Sequence, residues 1–309
     1  MERDPGADRA RILQRFGLDE RALIGEGGES RVYALSENRV LRVARSRSAD
    51  APDATRLKAF LARIAGRLPF ATPEIDEFDA LGAWRIEKRL PGGAMLTRLR
   101  KLGDDRRDEA FRRYAAAAEA LATVALPDLP YGHVLAAAPV IASDWRTFVG
   151  DSLSRFLTRN RITIAREVGD PHRLFDLAAD MIADLPSKPP KVLVHGDYFP
   201  GNVLLAPDLS VSAVIDFGVY TVVGDAQLDL AVSCLTLELI EETTAHDARF
   251  VRNLIIERHG ESIAPALRFY RAWLAFSMAD PANAAPPYPR MYRWSIAMLK
   301  LLHEGRFPA

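Results

Sequence analysis

The stretch Val192–Gly218 reads VLVHGDYFPGNVLLAPDLSVSAVIDFG. It opens with a short apolar strand, followed by a tight polar turn at His195, Gly196 and Asp197. Asn202 comes five positions after Asp197. A second apolar strand (Val203–Leu205), a Pro-Asp turn and a third strand (Val211–Ile215) end on Asp216. Two carboxylates and one amide thus sit in turns or at strand ends, where strands joined by loops can bring side chains together.

Those residue types suit phosphoryl transfer. A nucleoside triphosphate travels with a divalent cation, and Mg²⁺ favours one or two carboxylates, an amide oxygen, water and phosphate oxygens. The attacking hydroxyl needs a carboxylate to orient it and take its proton. Protein kinases place H-R-D-x-x-x-x-N ahead of D-F-G. This chain has H-G-D-Y-F-P-G-N and then I-D-F-G. Any one of these residues alone would read as a turn or a strand cap. Two linked motifs that agree in type, order and context point to a site.

On these residues the stretch resembles the aminoglycoside phosphotransferase family, small-molecule kinases with a protein-kinase-like fold that typically carry H-G-D in place of H-R-D. The likeness is weaker in the N-terminal third and nearly absent by motif after residue 235. It implies an α+β fold of two lobes. Residues 1–90 would form an antiparallel-sheet lobe that binds nucleotide, and residues 91–309 a mainly helical lobe for catalysis and substrate. It implies that Asp197 is the catalytic base, that Asn202 and Asp216 hold Mg²⁺, and that the γ-phosphoryl of ATP (or GTP) passes to a hydroxyl of a small molecule. The acceptor could be an aminoglycoside-like antibiotic or a metabolite. His195 is expected to bond the backbone near the DFG stretch and hold the loop rather than act as a base. The segment GDAQLDLA resembles the family's G-D-x-x-x-D-L-A, with Asp229 supporting the catalytic loop from below and Asp225 capping the next helix.

Composition agrees with a soluble globular chain. The 309 residues suffice for a sizeable core, and the formal net charge of zero points to neither nucleic acid nor an anionic membrane. A single cysteine, Cys234 in the apolar run LAVSCLTLEL, excludes an internal disulfide and reads as a buried thiol. With no leader-like start and no membrane-length apolar run, a cytoplasmic setting is expected. His133, His172, His246, His259 and His303 lack metal-ligand spacing.

Upstream, Asp8–Phe16 has the spacing of a short amphipathic helix, with Ile12, Leu13 and Phe16 on one face. ALIGEGGESRVYALSENRVLRVARS then reads as three strands with turns between them. Gly25, Gly27 and Gly28 would let backbone N–H groups approach phosphates closely, with Ser30 adding a hydroxyl; they equally suit a plain hairpin turn. Arg42 in RVLRVA takes the place of the kinase V-A-I-K lysine, and as a permanently charged fork it can bond phosphate. Arg45 would point to the opposite face, into solvent.

Asp53–Leu68 has helical spacing with Leu57, Phe60, Leu61 and Ile64 apolar. It contains no Glu to pair with Arg42, and Asp53 reads as a first-turn residue. Phe70–Glu77 and Ala83–Leu90 read as strands, and Pro91-Gly92-Gly93 as the hinge between lobes. Backbone groups near Glu87, Lys88 and Arg89 would meet the nucleotide base.

Beyond the hinge, Arg106–Val124, Phe148–Phe156 and Pro171–Leu185 read as helices, Pro127–Leu135 as a loop, and Thr236–Ala309 as three or more helices. Trp273, Phe276, Tyr288, Tyr292 and Trp294 read as core or pocket wall. From Asp225 to Glu261 there are eight acidic and three basic residues, which suits a cationic substrate or a solvated surface. No activation segment ending in A-P-E follows Gly218, which disfavours a protein kinase. The missing strand Lys and helix Glu leave a second alternative, a catalytically silent kinase-like nucleotide-binding protein. Oligomeric state is not encoded in any of these features.

Overall fold

A computed structural model describes residues 5–28, 30–45, 53–136, 138–284 and 289–308. Glu29 and Tyr288 lie outside the described residues. Helix α1 (Pro5–Arg15) precedes strands β1 (Leu23–Glu26), β2 (Ser30–Ala34) and β3 (Arg39–Ala44). Helix α2 (Ala54–Ile64) comes next, followed by β4 (Ile75–Phe78) and β5 (Trp84–Lys88). The five strands form an antiparallel sheet in the order β1-β2-β3-β5-β4.

Alternation along the strands divides this sheet into two faces. Leu41, Val43, Trp84 and Ile86 face outward and bury against Leu13, Ile12 and Phe16, with Phe16 edge-on to Trp84 at 4.9 Å. The face expected for α1 is therefore the one that packs. Val40, Arg42 and Glu87 point the other way. The α2 residues Leu57, Phe60, Leu61 and Ile64 are buried as the sequence pattern requires, and Asp53 is the N-cap, accepting the N–H of Arg56 at 2.8 Å. These four join the large apolar cluster of the helical part rather than the small outer cluster of the sheet.

The expected strand Phe70–Glu77 is shorter, because Pro73 has no N–H to donate. Ala71 instead makes a parallel bridge to Ala213. After β5 the Pro91-Gly92-Gly93 break is present. Gly92 has φ 99°, and a Cβ there would overlap Ser212 Oγ and the Leu205 carbonyl. The linker thus lies flat against the hairpin that carries Asp216, and Ser212 Oγ donates to Pro91 O at 2.7 Å.

The rest of the chain runs β6 (Gly93–Ala94), α3 (Met95–Leu99), α4 (Asp104–Leu121), β7 (Tyr131–His133) and β8 (Ile141–Ala142). It continues with α5 (Trp145–Glu167), α6 (Pro171–Asp180), β9 (Val192–Val194), β10 (Val203–Leu205), β11 (Val211–Val214), β12 (Val222–Gly224) and α7 (Gln227–Leu235). It ends in α8 (Ala245–His259), α9 (Ala264–Met278) and α10 (Pro289–His303). Strands β11, β10 and β6 form one small sheet, and β8, β7, β12 and β9 another.

Three expectations change. The loop Pro127–Leu135 contains β7, and β12 was not legible, because these three-residue strands are held by long-range pairing. The helix expected over Phe148–Phe156 is the 23-residue α5. Its buried face carries Ser152, Asn160 and Thr163, which interrupt the apolar pattern. Asn160 Nδ2 donates to the Phe276 carbonyl at 2.7 Å. The helix from Pro171 passes into a 3₁₀ turn at Met181–Asp184. Trp273 and Phe276 are core, whereas Tyr292 and Trp294 are half-buried at its edge. Among the described residues no helix is long and apolar enough to cross a membrane.

Candidate active site

The turn after β9 is built around Gly196. Its φ is 78°, and a Cβ there would overlap the carbonyl oxygen of Tyr220. Only glycine fits both constraints, which explains Gly where a protein kinase has Arg. Both carboxylate oxygens of buried Asp229, on α7, accept backbone N–H groups of this turn: His195 N–H at 2.6 Å and Gly196 N–H at 2.9 Å. Burial pushes the Asp229 carboxyl up to about 7, against the pull of those two N–H groups.

His195 is buried. Its Nδ1 accepts the Asp197 N–H at 3.3 Å, so the proton is assigned to Nε2, which donates to Ile215 O at 2.8 Å. Burial lowers its pKa and favours this neutral form. The imidazole therefore ties the Asp197 turn to the residue preceding Asp216, and Phe217 packs on it at 4.7 Å. This is the tethering role expected of His195, and both ring nitrogens are occupied by it.

Asn202 ends the 3₁₀ turn Pro200–Asn202 and is buried. Its Nδ2 donates to Asp197 O at 2.9 Å and to Asp197 Oδ2 at 3.1 Å. Ile215 N–H donates to Asn202 O at 2.9 Å. Asp216 follows with φ 69°, an uncommon left-handed conformation for a non-glycine residue. Asn202 thus bonds Asp197 directly and the residue before Asp216 through its carbonyl, although the three come from different turns.

Their chemistry fits a hard divalent cation. The Asn202 nitrogen is fixed on two Asp197 oxygens, which leaves its amide oxygen as the group able to ligate a cation. Among the described residues, no group of three or more His, Cys, Asp or Glu forms a self-sufficient metal cage.

Arg42 reaches this centre from β3. Its Nη1 donates to Ser30 Oγ at 3.0 Å and to Asp216 Oδ1 at 3.1 Å. Arg42 Nε lies 3.4 Å from Glu87 Oε1, and Arg85 Nε forms a close ion pair with the same oxygen. Burial alone would raise the Glu87 pKa, but the Arg42 and Arg85 charges outweigh it and hold the carboxyl below its usual range. This pairing was missed in the sequence, where the acid was sought on a helix. Arg45 points to the other face and forms a close ion pair with Glu26, so it is paired rather than simply solvated.

Of the glycine loop, Gly25 lies in β1 opposite Val32, and Gly27 N–H bonds Ser30 O at 2.9 Å. Neither has a left-handed φ, and a Cβ at either would make only ordinary contacts. Gly28 is exposed at the same turn. At β5, where backbone groups near Glu87, Lys88 and Arg89 are expected to meet the base, two N–H groups have partners within the chain. Lys88 N–H already donates to Glu74 O at 3.0 Å, and Arg89 N–H to Asn38 O at 2.8 Å. Those two donors belong to the sheet edge, and the Glu87 side chain is turned to Arg42.

Asp225 is buried, and its Oδ1 accepts Gln227 N–H at 3.0 Å at the start of α7. Burial raises its carboxyl to about 6. Of the eight acids from Asp225 to Glu261, Asp225, Asp229 and Asp247 are buried, Glu238 and Glu242 are half-buried, and Glu241, Glu257 and Glu261 are exposed. Glu238 pairs with Arg271 at 2.7 Å, Glu242 with Arg100 at 2.6 Å and Asp247 with Arg107 at 2.5 Å. Cys234 is buried and its thiol is pushed up to about 12, which leaves it inert.

Residues 20–273 match the family model described as APH, phosphotransferase enzyme family. The chain belongs to this phosphotransferase family. Among solved structures, the phosphotransferase is similar to aminoglycoside phosphotransferase APH(4)-Ia, with TM-score 0.71 and 19% identity over 97% of this chain and 98% of that one. A thermostable mutant of APH(4)-Ia in ternary complex with ADP and hygromycin B gives TM-score 0.70 and 18% identity, covering 97% and 99%. ADP-bound APH(2'')-Ib gives TM-score 0.60 and 13% identity, covering 98% and 99%. At these identities the likeness shows the protein-kinase-like fold. A sequence comparison with curated proteins finds no match.

Proposed function

We propose that this phosphotransferase moves the γ-phosphoryl group of ATP, or GTP, to a hydroxyl of a small molecule. Residues 1–90 serve as the nucleotide lobe and residues 91–309 as the lobe that carries the base and binds the acceptor. The observation that carries this reading is that Asn202 bonds Asp197 directly and accepts, through its backbone carbonyl, the N–H of Ile215 next to Asp216, with Arg42 reaching Asp216 from the sheet. Family membership and neighbours crystallised with ADP or AMP-PNP support the choice of nucleotide.

In this reading Asp197 orients the acceptor hydroxyl and takes its proton. The Asn202 amide holds one carboxylate oxygen and the backbone of Asp197, so the base is aligned before substrate arrives. Asn202 and Asp216 would hold Mg²⁺, which when bound offsets the negative charge of the β- and γ-phosphates. Arg42 bonds the phosphates. Gly25, Gly27 and Gly28 leave room for backbone N–H groups to approach them; neither Gly25 nor Gly27 is required to be glycine by its own backbone or packing.

The acceptor is a hydroxyl-bearing antibiotic or metabolite. The solved neighbours hold hygromycin B or streptomycin, but the ion-paired acids of this chain do not by themselves select a cation. Screening aminoglycosides, amino alcohols and sugars for acceptor-dependent ADP release with Mg²⁺ tests the reading. Release stimulated by one class identifies the acceptor. ATP binding with no release across the panel favours a silent nucleotide-binding relative instead.

A further inference from the structure

We infer that Glu87 on β5 is the positioning acid that aims Arg42 at the nucleotide phosphates, a task that helix α2 leaves undone. This rests on the reading that Arg42 grips phosphate. Protein kinases draw the acid for this cation from a helix. Here α2 reads ATRLKAFLARI and contains no acid, while Asp53 is committed to capping Arg56 N–H.

Strand register supplies the substitute. Arg42 pairs directly with Arg85, and Val40 with Glu87. Positions 40 and 42, like 85 and 87, are two apart and share a face. Arg42, Arg85 and Glu87 therefore converge on the inner side of the sheet. Two guanidinium groups on directly opposed positions repel each other unless an anion lies between them. Glu87 is that anion, only 4% exposed and within ion-pair distance of both.

The arrangement also accounts for arginine at position 42. A guanidinium has a lateral Nε edge and a distal fork. Glu87 approaches the Nε edge, while Nη1 lies on Ser30 Oγ and Asp216 Oδ1 at the catalytic end. One cation is thus held from behind by the sheet and presented forward. A lysine ammonium is a single compact charge and does not divide its contacts in this way. Arg42 and Glu87 form a matched pair within the sheet, independent of any movement of α2.

The test is a double-mutant cycle on the full chain, with MgATP and adenosine affinities measured by calorimetry for wild type, Glu87→Gln, Arg42→Ala and the double variant. The expected result is that Glu87→Gln weakens MgATP binding at least tenfold and adenosine binding less than twofold. In the Arg42→Ala background Glu87→Gln should then have no further effect. A merely structural role would lower adenosine affinity in parallel, or would persist without Arg42, and either result overturns the inference. If Arg42→Ala weakens MgATP binding but Glu87→Gln does not, the inference fails and the phosphate role of Arg42 stands. If Arg42→Ala leaves MgATP affinity unchanged, the phosphate role itself falls, and the inference with it. Should Glu87→Gln not fold, Glu87→Asp carries the test: the charge is kept but its reach is shortened, so MgATP affinity falls and adenosine affinity does not.

Discussion

At residue scale, the site depends on a few conformations that only particular side chains allow. Gly196 combines a left-handed φ with backbone packed against its Cα. Gly196→Ala should destabilise the protein by on the order of 2–4 kcal/mol, read as a drop in the urea midpoint, together with loss of activity. An alanine variant of wild-type stability would refute this account of the glycine. Asp197, Asn202 and Asp216 were legible in the sequence because chemistry fixes their types and their short spacing. Glu87 was not. Its meeting with Arg42 depends on which residues of β3 and β5 face each other, and strand register is not written locally.

At the scale of elements, Asp229 in the first turn of α7 holds the His195–Gly196 turn, and buried Asp225 caps the start of the helix. Asp225 has an ordinary pKa near 3.8 that burial raises to about 6 in the folded chain. Between those values the folded state binds more protons than the unfolded one, so this group's contribution to stability falls as pH rises from about 4 to 6. Asp225→Asn keeps an acceptor for Gln227 N–H and removes the titration. Its stability relative to wild type should therefore rise across that window, by up to on the order of 2–3 kcal/mol. Denaturant titrations at pH 4, 5, 6 and 7 measure it, and a pH-independent difference would contradict the assignment. Helix α2 shows what periodicity conveys well: its four apolar positions were legible, whereas Asp53, read as a first-turn residue, is its N-cap. Helix α5 shows the converse, because buried polar residues bonded to backbone carry no apolar signal.

For the whole molecule, the sheet has two apolar neighbourhoods of different kind. Its outer face packs against α1 and the segment that follows it, while α2 belongs to the large cluster that continues into the helices. Leu57→Ala in α2 should thus destabilise the helical part as well as the sheet, by roughly 2–4 kcal/mol. The check is whether hydrogen-exchange protection falls in α4 and α5 as well as in β3. An effect confined to β3 and β5 would mean that the two neighbourhoods are energetically separate. The two-lobe outline could be anticipated from the Pro91-Gly92-Gly93 break and from strands giving way to helices. The small sheet joining β7, β12 and β9 could not, since its pairing spans distant parts of the chain.

The central claim is that Asp197 acts on the acceptor, while Asn202, Asp216 and Arg42 serve the metal-bound triphosphate. The most direct measurement compares Asp197→Ala with wild type for MgATP affinity and for single-turnover phosphoryl transfer to the acceptor found by screening. The account predicts transfer reduced at least a thousandfold, with MgATP affinity within about twofold of wild type. Transfer near the wild-type rate, or loss of nucleotide binding along with transfer in a folded variant, would contradict it.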